Sequence, residues 1–109
     1  MLYKKPQPYF NPTLNIFLDG QPHMSEEVNN YVAEKFHTSK KEREEYIGAA
    51  RMPIFENNVA WALGGFNGRY GKFFITLDEK THAYQITERG RALREKFPKE
   101  ISIKDLMEF

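Results

Sequence analysis

A chain of 109 residues with 40% hydrophobic and 15% aromatic residues has the material for one core, and its 28% of charged residues suits a solvated surface. That balance excludes a disordered class, and the lack of any long apolar run excludes a bilayer-spanning one. The absence of cysteine rules out disulfides and thiolate zinc sites, while a net charge of +1 is far from the strong basic excess of many nucleic-acid binders.

The N-terminus carries Lys4, Lys5, Pro6 and Pro8 with no apolar run behind them, so a cytoplasmic protein without a secretory leader is expected. Residues 1–10 read as an extended arm, because each proline removes a backbone donor and disfavours helix in the residue before it. A first helix over 12–19 is expected to have Asn11 as its N-cap and Pro12 in its first turn. Gly20 closes it, with Leu14, Phe17 and Leu18 on the buried face. Gln21 to Met24 makes a connector. Ser25, Glu26 and Glu27 then open a second helix to residue 36, in which Val28, Tyr31, Val32 and Phe36 recur at helical spacing. Ser39-x-x-Glu42 is a capping box for a short charged helix over 40–47.

A loop from Gly48 to Phe55 leads to a helix over 56–67, with Val59, Ala62, Leu63 and Phe66 on one stripe. Four glycines between Gly64 and Gly71 mark its end, since each costs about 1 kcal/mol against alanine inside a helix. Phe73–Leu77 and Ala83–Thr87 are aromatic and branched runs joined by a polar loop, hence a β-hairpin with Phe73, Ile75, Leu77, Tyr84 and Ile86 facing inward. Thr87 caps a last helix over 88–97, which Pro98 stops. The tail, residues 98–109, is apolar at Ile101, Ile103, Leu106, Met107 and Phe109, and either folds back or forms a homodimer.

Helix, hairpin and helix in this order predict an α+β fold, a winged helix-turn-helix with three to five helices and a β-hairpin wing, occupying residues 11–97. Residues 11–36 carry four acids against one lysine, a balance of −3, and residues 67–96 carry seven Lys and Arg against four acids, a balance of +3. One end of the molecule is therefore suited to phosphates.

Two stretches resemble the N-terminal winged-helix domain of Mrr-type restriction proteins. These are Ile54-Phe55-Glu56-Asn57-Asn58-Val59-Ala60-Trp61-Ala62-Leu63 and Tyr84-Gln85-Ile86-Thr87-Glu88-Arg89-Gly90-Arg91. The segment Leu18-Asp19-Gly20, the helix from Ser25 and the charged run from Thr38 are similar to the same family, so the resemblance extends over residues 9–97. It implies a domain that delivers a nuclease to double-stranded DNA, with the helix before the wing in the groove. The sequence ends about a dozen residues after the winged helix, so no nuclease is expected in it, and because His23, His37 and His82 are far apart and no nucleophile motif or paired acids stand among the residues, no enzyme activity, cofactor or metal site is expected either. The Gly64 to Gly71 stretch departs from the family's well-formed helix end.

The candidate DNA contacts are Arg51, Asn57, Asn58, Arg69, Lys72, Lys80 and His82. The cations and His82 suit phosphates, and Asn57 and Asn58 suit either an adenine edge or helix capping. Trp61 reads as an anchor covering the domain seam, and Arg89 and Arg91 as parts of the capping turn and of ion pairs on the last helix. The alternative function is a protein-interaction or dimerisation module that keeps the fold without binding DNA.

Overall fold

Gly20 takes up a left-handed conformation at φ 78° and ends the first helical segment where the sequence placed the stop. That segment begins earlier than the residues imply. In the computed structural model, which describes residues 1–46 and 51–109, helix α1 spans Phe10–Asn15 between 3-10 turns at Gln7–Tyr9 and Ile16–Asp19. Pro6 and Pro8 therefore start a helix rather than keep an arm extended, because the first turn has no use for the amide hydrogens they lack. Tyr9 and Phe10 are fully buried. Asn11 is not the N-cap. Its side-chain amide instead donates to Lys99 O and accepts from Ile101 N at 2.8 Å, tying the C-terminal segment to α1. Leu18, expected in the core, is 38% exposed, because the tighter 3-10 turn rotates it away from the face held by Leu14 and Phe17.

Strand β1, His23–Met24, precedes α2, Ser25–Phe36, whose N-cap is Met24 rather than Ser25. The Glu27 carboxylate accepts from Met24 N at 3.2 Å and secures this start. The Ser39 box is present in full, with Glu42 N donating to Ser39 Oγ at 3.1 Å and Ser39 N to Glu42 Oε1 at 2.9 Å. It opens α3, Lys40–Arg43, which is shorter than expected. The expected helix end at Ile47 and loop start at Gly48 lie outside the described residues. Helix α4 runs Ile54–Phe66, two residues earlier than its polar start suggested, since Pro53 serves as its N-cap and both Ile54 and Phe55 are buried.

Strands β2, Ile75–Leu77, and β3, Ala83–Ile86, form the hairpin, and β1 pairs with β3 to give an antiparallel sheet in the order β1-β3-β2. Ile75 faces Ile86, Leu77 faces Tyr84, and His23 lies opposite Tyr84 on the other side. Strict alternation fails at the hairpin entrance. Phe74 is buried and Phe73 is 53% exposed, because Phe74 N donates to Phe66 O at 2.8 Å and turns its ring toward the core before the strand begins. Leu77 is also exposed at the outer end of the pair.

Thr87 caps α5, Glu88–Lys96, by accepting from Gly90 N at 3.1 Å. The last segment folds back on the same chain. A second box, Ser102 with Asp105, starts α6, Ile103–Glu108, and both Ile101 and Leu106 are fully buried among Phe10, Leu14, Phe66 and Phe74 in one core. Six α-helices thus stand among the described residues, against the three to five expected from the sequence. Helix α4 is central, packing against α1, α2, α3 and α6. No helix among the described residues is long and apolar enough to cross a membrane.

Candidate nucleic-acid interface

Once Val59, Ala62, Leu63 and Phe66 of α4 are committed to the core, the helical repeat dictates what faces outward. The exposed or half-exposed stripe is Asn57, Ala60, Trp61 and Gly64, spaced i, i+3, i+4 and i+7. Asn58 is not on it. It is 4% exposed and its Nδ2 donates to Tyr3 O at 3.3 Å, so the structure assigns it to holding the N-terminal segment and removes it from the base-reading candidates. Gly65 is buried against Phe10 and Leu106 and is likewise off the outer face.

Trp61 does not cover a seam. It is 43% exposed, and the Arg69 guanidinium stacks on it with its carbon 3.8 Å from the ring centroid. The turn after α4 makes this possible, because Arg69 N donates to Gly64 O at 3.1 Å and brings the arginine back over the helix it has just left. Gly64 leaves the space, since a Cβ there would stand 2.8 Å from an Arg69 terminal nitrogen. Phe73, also exposed, lies over Gly68 in the same turn.

The remaining candidates lie before α4, in the glycine-rich turn and in the hairpin turn. Arg51 is exposed shortly before α4. Lys72 is partly withdrawn, because its Nζ donates to Met107 O at 2.9 Å and links the glycine-rich turn to α6. Lys80 and His82 sit in the hairpin turn, exposed, with His82 at φ 60° and Lys80 N bonded to Asp78 Oδ1 at 2.9 Å. Asp78 and Glu79 are exposed beside them, so the hairpin tip adds no net positive charge. Glu56 lines a shallow groove of about 190 Å³ between α2 and α4, together with Ser25, Asn29, Met52 and Ala60. Arg89 and Arg91 are exposed, and neither has an ion-pair partner within 4.0 Å among the described residues. Arg91 instead approaches the Gly20 turn. What the residue pattern missed is the Trp61, Gly64 and Arg69 cluster. Helical spacing from Asn57 reaches Trp61 and Gly64 and could have placed those two on one face, but only the turn brings Arg69 onto them.

Among the described residues no group of three or more His, Asp or Glu is arranged to hold a metal ion. The Mrr N-terminal domain model matches residues 7–96, from the first 3-10 turn to the last residue of α5. The chain belongs to the Mrr N-terminal domain family. The match takes in the α4 stripe, the glycine-rich turn and the hairpin, and leaves out α6. No curated protein and no solved structure matches the chain.

Proposed function

We propose that this Mrr N-terminal domain is a winged-helix module that docks on double-stranded DNA and performs no chemistry itself, serving a restriction-type system. The observation that carries the reading is the outward face of α4, where Asn57 and Trp61 stand free of the core on the helix that precedes a β-hairpin and Arg69 of the following turn lies over Trp61. A sheet ordered β1-β3-β2, with α2, α3 and α4 inserted between β1 and β2, agrees with a winged-helix design in which α4 enters the major groove and the hairpin follows the backbone. Asn57 suits an adenine edge, and Arg51, Lys80 and His82 suit phosphates on either side.

The test is fluorescence anisotropy of a labelled duplex titrated with the full chain at several salt concentrations. Two or three phosphate contacts give a log-log slope of affinity against salt of roughly −2 to −3. Changing Arg51 and Lys80 to Glu weakens binding to all sequences alike, because backbone contacts carry no sequence information. An absence of binding at about 50 mM salt sinks the proposal. The protein-interaction alternative would then stand, favoured by the near-neutral charge and by the exposed Trp61, Phe73 and Met107.

A further inference from the structure

A long arginine side chain on a surface turn samples many rotamers, and ordering it on a partner costs roughly threefold to tenfold in affinity. Arg69 is relieved of that freedom before any partner arrives. Its guanidinium lies 3.8 Å from the Trp61 ring centroid, and its backbone is fixed by the bond from Arg69 N to Gly64 O at 3.1 Å. The head occupies the notch that a side chain at Gly64 would fill. A guanidinium that stacks by its flat face keeps its in-plane N–H groups for acceptors. Among the described residues Arg69 has no acidic partner within 4.0 Å, and the residue is exposed.

We infer that Trp61 and Gly64 are positioning residues that hold Arg69 as a preformed two-pronged donor for a pair of adjacent acceptors on duplex DNA. This rests on the DNA-binding reading and names the side chain on which its affinity turns. Two sources offer such a pair, the O6 and N7 edge of a guanine and the two free oxygens of one phosphate, and a guanidinium fork fits both. A lysine at this position fits neither in the same way, having no plane to stack and no fork.

The experiment compares the full chain with R69A, R69K, W61A, W61F and G64A, measuring duplex affinity by anisotropy and stability by urea unfolding on the same samples. R69A loses about tenfold, and R69K does not restore it. W61A and G64A each lose roughly threefold to tenfold, because the fork must then be ordered on binding, while W61F keeps a ring to stack on and retains most of the affinity. G64A carries the discriminating readout. It binds more weakly yet resists urea better, since alanine favours a helix and the contact it makes is only with the movable end of Arg69. A 7-deazaguanine duplex loses affinity for the wild-type chain if the acceptors are on guanine, and a methylphosphonate duplex loses it if they are on phosphate. Trp61 is the chain's single tryptophan, so its fluorescence changes when DNA reaches the pair.

If R69A binds like the wild type, or if W61A and G64A do while R69A is weak, the preformed fork is refuted and the DNA-binding reading survives. A wild-type chain that binds no duplex in the first titration overturns that reading and this one with it.

Discussion

Replacing Gly90 by Ala puts a methyl group where the fold has no room. A Cβ at this position would stand 2.1 Å from Phe74 O, 2.7 Å from Ile86 Cγ1 and 3.0 Å from the Phe74 carbonyl carbon. The closest of these is backbone, and Phe74 O is already the acceptor for Thr87 N at 3.0 Å, so it cannot swing aside without giving up a bond that fixes the start of α5. Overpacking of this kind costs about 1–3 kcal/mol, and weakening the hydrogen bond adds about 1 kcal/mol. Alanine returns about 1 kcal/mol through its higher helix propensity. The net expectation is a loss of about 2 kcal/mol, which for a domain of this size lowers the thermal midpoint by about 10 °C. Circular dichroism melts of G90A beside G64A decide the matter, because both exchange glycine for alanine in a helix and only Gly90 faces backbone. A G90A melt at or above the wild-type temperature refutes the reasoning.

Two further outcomes are expected. Stability depends on pH through His23, whose Nδ1 lies 3.1 Å from Glu27 Oε2 and whose Nε2 lies 2.9 Å from Asp19 Oδ2. Burial opposes protonation of this ring, but the bonds from Glu27 and Asp19 outweigh it and raise its pKa. The Gln21 backbone amide holds Asp19 below the usual carboxylate range, the Met24 amide does the same for Glu27, and Arg91 adds a smaller pull on Asp19. The histidine contribution is full below the unfolded value near pH 6.5 and is lost as pH rises through the raised folded value, while the carboxylate contributions are full above about pH 4.5 and are lost as pH falls through the lowered ones. Urea unfolding should therefore show the stability difference between wild type and H23Q largest at about pH 5–6 and shrinking by about pH 8, and a difference that grows with pH contradicts the cluster. Truncation after Lys99 removes the buried Ile101 and Leu106, each worth roughly 1.5–3 kcal/mol, so the shorter chain should melt well below the full one, and an unchanged melting temperature contradicts the internal packing of α6.

Elements whose causes lie within a few residues were readable from the chain alone. The Ser39 and Thr87 caps, the Gly20 stop and the apolar stripe of Val59, Ala62, Leu63 and Phe66 are set by local hydrogen bonding and helical repeat, and each is found where its residues put it. The family resemblance was legible for the same reason, since the residues from Ile54 to Leu63 and from Tyr84 to Arg91 form contiguous motifs. Contacts between distant segments left no such trace. Strand β1 has two residues, too few for an alternation, and exists because His23 and Met24 meet β3. Asn58 and Asn57 are neighbours of one residue type, yet the N-terminal segment buries the first and leaves the second in solvent. Phe73 and Phe74 exchange their expected places because the Phe66 carbonyl captures the Phe74 amide. Arg69 lies over the Trp61 ring because a turn returns it to a residue eight positions earlier in the chain. Local sequence determined where helices begin, end and turn their apolar faces, whereas exposure and pairing of single side chains depended on which remote backbone arrived beside them, and only the folded chain decides that.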